Sequence, residues 1–290
     1  MDIDMLRAFQ AAAAAGTVSK AALQLGYAQS NITTKIRQLE NDLGTPLFYR
    51  HNRGITLTPA GKTLKGYADQ VLRLMEEARR AVTDGTAPKG SLAIGSMETT
   101  AAVRLPELLA SYHRSYPEVN LTLVTGPTEQ LVQAVLDYEL DGAFVAGPVE
   151  HPDLLQDSFI EEELMIVTDA AHPPLASAKE LGSRTLLAFR AGCSYRARME
   201  QWLHEEGVMP VKILEFGTLE TILGCVAAGL GISLLPRSIV QRKAEEGSIR
   251  CHPIAHKHSR VWTVLIRRRD AYVSQAYKAF TEQIYAGVVR

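Results

Sequence analysis

The most constraining feature of this sequence is a series of short amphipathic segments, separated by glycines, within its first 58 residues. Apolar residues at helical spacing predict a first helix over about residues 5–15, and Gly16 ends it. Ser19 is placed to cap a short second helix that stops at Gly26. A third helix begins near Gln29, so a turn of three or four residues joins the last two helices. This arrangement predicts a helix-turn-helix.

The third predicted helix has two chemically different faces. Its apolar face carries residues at i, i+4, i+7 and i+11, namely Ile32, Ile36, Leu39 and Leu43. Its other face carries short polar and cationic side chains, namely Gln29, Ser30, Asn31, Thr33, Thr34, Lys35 and Arg37. Gln and Asn can bind an adenine edge, Lys and Arg a guanine edge, and Thr offers a methyl group to thymine. We therefore predict that this face enters the major groove of DNA, the alternative being a solvated polar face.

A basic hairpin is predicted after the third helix, over residues 47–57. Arg50 begins this wing, and Arg53 lies with Gly54 at its tip, so both arginines can reach a phosphate or the minor groove. Residues 1–90 hold 12 Lys and Arg against 8 Asp and Glu, whereas the remainder holds 19 against 24. This asymmetry favours nucleic acid bound at one end of the chain and another task at the other end.

The run AALQLGYAQSNITTKIRQLENDLGTPLFYRHNRGITLTPAG resembles the winged helix-turn-helix signature of the LysR-type transcriptional regulators. The shared elements are the paired alanines, the Gln that starts the recognition helix, the LE-x-x-LG-x-x-LF-x-R block and LT-x-AG. Domain order and total length match as well. Thr33 and Thr34 stand where the family usually has Ser-Arg, and Ser30 and Asn31 where it often has a Pro or Ala. The base sequence that this chain reads therefore cannot be taken from a relative.

A long amphipathic helix is predicted over residues 59–83. Its apolar residues follow alternating steps of four and three, namely Leu64, Ala68, Val71, Met75, Ala78 and Val82. A helix of about 37 Å cannot bury such a seam alone, so it pairs with a second subunit or packs on its own domains. The resemblance implies a linker helix that dimerises, often within a tetramer, and a homodimer would read an interrupted palindrome in double-stranded DNA. Residues 84–90 have the composition of a hinge.

Residues 91–290 alternate between strand and helix patterns, which predicts an α/β domain with parallel strands. The predicted strands are short apolar runs, namely SLAIG, NLTLVTG, DGAFVAG, ELMIVT, TLLAFR, VKILEFG and GISLLP. Two such sets predict two lobes, lobe I over about residues 91–162 and 266–290, and lobe II over about 163–265. A closing helix over about residues 272–285 is expected to pack back on lobe I. The predicted fold class is thus α/β, with an N-terminal winged helix-turn-helix in residues 1–58, a long linker helix, and a two-lobed domain. That domain resembles the periplasmic-binding-protein-like effector domain of the family.

Ligands of open α/β sheets bind beyond the carboxyl ends of strands, at helix N-termini. The loops at those positions are rich in hydroxyls and backbone amides, which suit a small carboxylate or oxyanion. The resemblance implies effector contacts at Ser96, Thr99, Thr100, Thr128, Ser194 and Thr218, and Cys193 lies in the same loops. Each serine or threonine taken singly can instead be a helix cap. Glu98 does not suit an anionic ligand and would point away, or would prefer an amine or cation.

Cys193 supports an alternative function. It precedes a predicted helix and lies near Arg196 and Arg198, conditions that lower a thiol pKa and make the thiol reactive. Peroxide-sensing members of the family keep a reactive cysteine in this loop, with a second one a few residues later. No second cysteine follows here, because Cys225 belongs to an apolar helix. A ligand-lining or packing cysteine is therefore preferred to a thiol-based redox sensor.

The predicted function is a ligand-responsive DNA-binding regulator that senses a small anionic metabolite. No nucleophile–base–acid spacing, GxxxxGK loop or GxGxxG motif is present, so an enzyme is a weaker alternative, as is a solute-binding protein. We expect no catalytic residues, no cofactor, and a solvated loop rather than a metal site at His256 and His258. The start of the chain lacks a cationic n-region and no long apolar run occurs, which favours a cytoplasmic location without membrane contact. Contact with RNA polymerase is compatible with the resemblance.

Overall fold

A computed structural model describes residues 1–51, 54–83, 85–175, 177–181, 184–208 and 212–288. The chain divides into two compact units, Met1–Thr83 and Asp84–Arg290. In the described ranges, every helix is too short or too polar to cross a membrane.

The first unit is a helical domain with a small hairpin. Its elements are α1 (Ile3–Ala15), α2 (Val18–Leu25), α3 (Gln29–Leu43), β1 (Phe48–His51), β2 (Gly54–Leu57) and α4 (Pro59–Thr83). Gly16, Gly26 and Gly44 end the first three helices in the left-handed conformation, where a residue with a side chain would be strained. The predicted cap of α2 is wrong, because Thr17 rather than Ser19 accepts the hydrogen bond from the Lys20 amide, at 3.3 Å.

The apolar face of α3 anchors it in the core of the first unit. Ile32, Ile36 and Leu39 are buried against α1 and α2, as predicted. Leu43, predicted on the same face, is 40% exposed. It occupies the last turn of α3 beside Gly44, where the helix has already run past the core.

A close contact joins the hairpin to α4. The Thr58 hydroxyl donates to the Pro46 carbonyl at 2.8 Å and accepts from the Gly61 amide at 3.0 Å, so it caps α4. A Cβ on Gly61 would overlap the carbonyl oxygen of Leu47. The LT-x-AG pattern therefore has a structural cause, a cap followed by a residue without a side chain.

The apolar seam of α4 is used in two ways. Leu64 and Ala68 pack into the core of the first unit, with Ala68 fully buried. Farther along α4 the apolar side chains are exposed, namely Val71, Leu74, Met75, Ala78 and Val82. Only the first half of the predicted seam packs on the first unit. The apolar side chains in its second half contact no other apolar core in the described part of this chain.

The second unit contains the remaining elements. They are β3 (Gly90–Ser96), α5 (Glu98–Val103), α6 (Leu105–Ser115), β4 (Val119–Thr125), α7 (Thr128–Leu136), β5 (Gly142–Gly147), β6 (Leu154–Asp169), a 3₁₀ helix (Ala178–Leu181), β7 (Thr185–Phe189), α8 (Ser194–Glu205), β8 (Lys212–Phe216), α9 (Leu219–Ala227), β9 (Ser233–Pro236), α10 (Arg237–Glu245), β10 (Ile249–Pro253), α11 (His256–Ser259), β11 (Arg260–Arg268) and α12 (Gln275–Val288).

Two lobes share the long strand β6. In the first lobe β3 lies between β4 and β5, parallel to both, which confirms the predicted parallel arrangement. In the second lobe β7 and β8 are parallel, whereas β9 and β10 pair antiparallel with the end of β6. The start of β6 pairs with β11, which also pairs with β5 from Trp262 onward, ahead of the lobe boundary predicted near residue 266.

The closing helix α12 packs on the first lobe, as predicted. Its Tyr277, Phe280 and Ile284 lie in one buried cluster with Ile94 of β3 and Phe144 of β5. The second lobe has its own core around α8 and β6. Each lobe is therefore built mainly around its own core, although Met97 and Ala146 of the first lobe join the core of the second. Strands β6 and β11 run between the lobes.

Candidate functional site

The N-terminal half of α3 presents most of its predicted contact residues to solvent. Gln29, Ser30, Asn31, Thr34 and Arg37 are exposed, whereas Thr33 and Lys35 are half-buried. The apolar face buried beneath them fixes the helix on α1 and α2. The structure thus places a continuous polar surface on the element that the sequence predicted to enter the major groove.

Hydrogen bonds to the backbone set what the two threonines of this surface can offer. The Thr33 hydroxyl donates to the Gln29 carbonyl and the Thr34 hydroxyl to the Ser30 carbonyl, each at 2.9 Å. Each hydroxyl hydrogen is therefore taken up within the helix. What remains for a ligand is a methyl group and an accepting oxygen, a combination that fits a thymine methyl or an amino group on a base edge.

The predicted cationic contacts differ in their surroundings. Lys35 lies 3.5 Å from Asp4, and Arg50 lies 3.3 Å from Glu40. Both pairs are partly exposed, so each is weak and can be exchanged for a phosphate. Arg37 has no ion-pair partner among the residues described, and Arg53 lies outside the described residues.

Glu40 positions the wing relative to α3. One carboxylate oxygen accepts from the amides of Leu47 and Phe48, at 2.9 and 3.3 Å, and the other faces Arg50. This acid is the Glu of the LE-x-x-LG block, so the block contains the residue that holds the connecting turn. Sequence reasoning recognised the block but not this role.

A cavity of about 290 Å³ lies between the two lobes of the second unit. It opens at the carboxyl ends of β3, β4, β7 and β8, where the sequence placed the ligand. Four of the predicted effector residues line it, namely Thr99, Thr128, Cys193 and Thr218. Ser194 lines an adjoining open groove together with Thr128 and Cys193.

The other predicted residues are not part of the cavity wall. Ser96 is fully buried and its hydroxyl donates to the Met97 carbonyl at 3.0 Å. Thr100 is also buried and does not line the cavity, although its neighbour Thr99 does. Thr218 was expected either to contact the effector or to cap a helix. It lines the cavity, and its hydroxyl also accepts a hydrogen bond from the Thr221 amide as the cap of α9.

Hydrogen bonds join the two lobes around the cavity. The Ser194 hydroxyl of the second lobe donates to the Thr128 hydroxyl of the first at 3.0 Å. Thr99 of the first lobe donates to the Tyr195 hydroxyl of the second at 3.5 Å, and burial raises the pKa of Tyr195. A ligand that changes the spacing of the lobes must therefore form or break contacts between hydroxyl groups.

The environment of Cys193 contradicts the expectation of a lowered pKa. Burial raises the pKa of the thiol, and hydrogen bonds from the backbone of Arg196 and Tyr195 offset this only in part. The guanidinium of Arg196 is engaged by Glu200 at 2.9 Å and by Glu215 at 2.5 Å. The thiol is therefore held in its neutral form, which is the less reactive one.

Two charged residues of the cavity were not among the predicted contacts. Glu98, the first residue of α5, and Arg190, directly after β7, both line it. Arg190 follows a strand end, so the rule that selected the other loops applied to it as well. Met97, Phe189 and Phe216 supply an apolar part of the wall.

Two buried histidines of the second unit, His252 and His258, have structural partners. His258 was expected in a solvated loop but is buried in α11, and the side chain of His256 lies outside the described residues. His252 contacts the Thr168 hydroxyl at 3.0 Å, and burial lowers its pKa. His258 lies 3.1 Å from Glu205. Within the described ranges, no group of three or more potential ligands is arranged to hold a metal ion.

Comparisons with known proteins agree for both units. Residues 3–62 match the family described as bacterial regulatory helix-turn-helix protein, lysR family, and residues 85–287 match the LysR substrate binding domain. The chain is 57% identical over 280 residues to the HTH-type transcriptional regulator GltR of Bacillus subtilis (strain 168), covering 97% of this chain and 95% of that protein.

Solved structures of whole proteins share the fold. A full-length OxyR variant from Pseudomonas aeruginosa superimposes with a TM-score of 0.73 at 25% identity, over 98% of this chain and 94% of that one. Full-length CbnR in complex with its target DNA gives a TM-score of 0.70 at 23% identity, over 99% of both chains. The likeness thus extends over the helical unit, the long helix and the two-lobed unit together.

Proposed function

The chain belongs to the LysR family of bacterial transcriptional regulators, and from that premise we propose how its residues divide the work. Residues 1–58 bind double-stranded DNA, residues 59–83 dimerise, and residues 84–90 connect them to an effector-binding domain at 91–290. The observation that carries the proposal is the polar face of α3, which is held on its domain by the buried side chains of Ile32, Ile36 and Leu39.

Base reading is assigned to the start of α3. Gln29 and Asn31 are exposed and carry amides that suit adenine edges, and Thr34 offers a methyl group beside them. Positive charge for the phosphates comes from Arg37, Lys35 and Arg50. Lys35 and Arg50 would exchange their ion pairs with acidic side chains for ion pairs with phosphates. Ser30, Thr33 and Arg53 complete the proposed contact set.

Two copies of the chain are proposed to act together. The exposed second half of the α4 seam supports a homodimer, since its apolar side chains otherwise remain in water. A two-fold dimer reads two half-sites, so the operator is an interrupted palindrome. Assembly into a homotetramer, action in the cytoplasm and contact with RNA polymerase are further parts of the proposal.

The cavity between the lobes is proposed to bind a small effector with a carboxylate group. Arg190 provides a cation without an ion-pair partner in the described part of the chain, and Thr99, Thr128 and Thr218 provide hydroxyl groups. Cys193 lines the cavity and the adjoining groove, and Ser194 lines the groove. Ser96 and Thr100 are buried beside the cavity-lining Met97 and Thr99 in the chain, so their proposed role is to support those residues. Coupling between such a site and DNA is typically worth about 1–3 kcal/mol.

The test of DNA reading begins with selection of duplexes from a random library by the full-length protein. We expect an enriched site with two half-sites about one helical turn, or a multiple of it, apart. For that site, Asn31→Ala should weaken binding by about 1–3 kcal/mol and relax the preference at one base pair in each half-site. Arg37→Ala should weaken binding to all sequences and reduce the slope of log affinity against log salt.

The matched control is Arg79→Ala, which removes an exposed cation of the same unit from the far part of α4. It should leave the affinity for the selected duplex within about twofold. Failure to enrich any sequence would contradict the assignment of residues 1–58. So would equal affinities for wild type, Asn31→Ala and Arg37→Ala.

A further inference from the structure

The cavity between the lobes contains two opposite charges that are not paired. Glu98 and Arg190 are the charged residues among the described side chains that line it, and the remaining lining residues are neutral. They form no ion pair with each other. In the described part of the chain, neither has another side-chain hydrogen-bond or ion-pair partner. The wall therefore carries an isolated anion and an isolated cation.

The two charges belong to different lobes. Glu98 begins α5 on the first lobe, and Arg190 follows β7 on the second. Glu98 is half-buried, so its carboxylate has already lost part of its hydration. A carboxylate in such a position is stabilised when a positive charge enters, and destabilised when a negative charge enters. Arg190 is exposed, and a carboxylate of the ligand would supply the ion-pair partner that it lacks in the described part of the chain.

We propose that the effector is a small α-amino acid, bound with its carboxylate toward Arg190 and its ammonium group toward Glu98. The inference rests on the proposed sensing role of this cavity and specifies the ligand's chemical class. A simple carboxylate satisfies Arg190 but is repelled by Glu98 and leaves that acid unpaired. A simple amine pairs with Glu98 but is repelled by Arg190 and leaves that cation unpaired. A zwitterion can pair with both residues.

The remaining lining residues suit such a ligand. The hydroxyls of Thr99, Thr128 and Thr218 can donate to a carboxylate or accept from an ammonium group. Phe189 and Phe216 offer a neutral surface for a side chain. A volume of about 290 Å³ is at the lower end of the range for ligand cavities, which restricts the ligand to a small molecule.

A ligand that forms an ion pair at each of its two ends would also affect the spacing of the lobes. An α-amino acid that contacts Glu98 on one lobe and Arg190 on the other links the lobes directly. A ligand that contacts one wall only would bind without favouring either spacing, and such a ligand shifts no equilibrium. The class of ligand and the means of signalling thus follow from the same pair of residues.

The test uses titration calorimetry with the full-length protein and the standard L-amino acids, each at up to millimolar concentration. Every amino acid that binds is compared with its 2-oxo acid, which lacks the ammonium group, and with its decarboxylated amine. We expect the amino acid to bind at least tenfold more tightly than either analogue. Glu98→Gln should weaken the binding of the amino acid at least tenfold and leave the affinity for the 2-oxo acid unchanged, so that the preference for the amino acid is lost.

The matched control is Glu129→Gln, because Glu129 is an exposed acid that lines the adjoining groove and not the cavity. It should leave both affinities unchanged. Binding of a 2-oxo acid as tightly as its amino acid, with no effect of Glu98→Gln, would overturn the inference and leave the regulator function intact. Absence of binding by every amino acid would overturn it too. Failure of the DNA selection experiment would instead remove the proposed function itself.

Discussion

Gly61 is a residue whose identity is set by a single close contact. A Cβ there would overlap the carbonyl oxygen of Leu47, an atom of the backbone that cannot rotate away. Its amide also donates to the Thr58 hydroxyl at 3.0 Å, so the two residues hold the start of α4 together. We predict that Gly61→Ala destabilises the first unit by about 1–3 kcal/mol, measured by denaturant unfolding of the full-length protein.

Gly66 in the same helix provides the control, since a Cβ there would meet nothing within 4 Å. Gly66→Ala should leave stability unchanged or raise it by up to about 1 kcal/mol, because alanine favours helix more than glycine does. Equal effects of the two substitutions would show that helix propensity, and not the contact with Leu47, governs position 61.

Cys193 allows a residue-scale test of the redox alternative. Because burial raises the pKa of this thiol, little thiolate exists near neutral pH. We predict that stoichiometric hydrogen peroxide leaves the affinity for the selected duplex unchanged in wild type and in Cys193→Ser. Binding would be measured by fluorescence anisotropy, with thiol oxidation followed by mass spectrometry.

A loss of affinity on peroxide treatment that is present in wild type and missing in Cys193→Ser would contradict this account. It would show that the thiol ionises readily despite its burial. Cys251 offers an internal comparison, as burial raises its pKa as well.

Residue identities in the site were predictable to the extent that they depend on strand ends. Strand ends indicated the loops that carry Thr99, Thr128, Cys193 and Thr218, and the resemblance implied the three threonines as effector contacts. All four residues line the cavity. Whether a hydroxyl faces the cavity or the core depends on side-chain direction, which tertiary packing sets, so Ser96 could not be separated from its neighbours in sequence.

At the scale of elements, α4 has the most testable consequence. Its second half exposes an apolar seam, with Met75 37% and Val82 87% exposed. We predict that Met75→Glu raises the dissociation constant of the dimer at least tenfold, because dimerisation would then bury an unpaired carboxylate. Sedimentation equilibrium at several concentrations would measure the change.

Gln70→Glu is the appropriate control for that experiment. It adds the same charge at an exposed position of α4 outside the seam, so dimerisation should be unaffected. A monomeric wild type at micromolar concentration, or equal dissociation constants for both variants, would contradict the role proposed for this helix.

Most strands of the second unit were predictable, and the strands that were missed have a common cause. The strand and helix patterns of β3, β4, β5, β7, β8 and β9 were recognised from their apolar runs. Strands β10 and β11 were not, since both pair antiparallel with strands that are distant in the sequence, and β11 has charged ends. The first part of β6, with its run of acids, was missed for the same reason. Strands that run between the lobes and pair antiparallel with distant strands have few local sequence features that predict them.

At the scale of the whole molecule, a ligand-responsive regulator of this architecture requires that the spacing of the lobes affects DNA binding. The lobes contact each other through Ser194 and Thr128, whose hydroxyl oxygens lie 3.0 Å apart. This pair provides a means of fixing the lobes without knowing the effector. A disulfide formed between cysteines at these positions would hold the lobes as they are in this structure.

The most direct test is the dissociation constant of the Thr128→Cys, Ser194→Cys variant for the selected duplex, compared between its oxidised and reduced forms. The variant should also carry Cys193→Ser, so that the neighbouring thiol cannot compete, and Cys193→Ser alone serves as the control. We predict a difference of about 5- to 150-fold between the two forms, the usual range of coupling between sites. Equal affinities, with disulfide formation verified by mass spectrometry, would contradict the central claim that this chain is a ligand-responsive DNA-binding regulator.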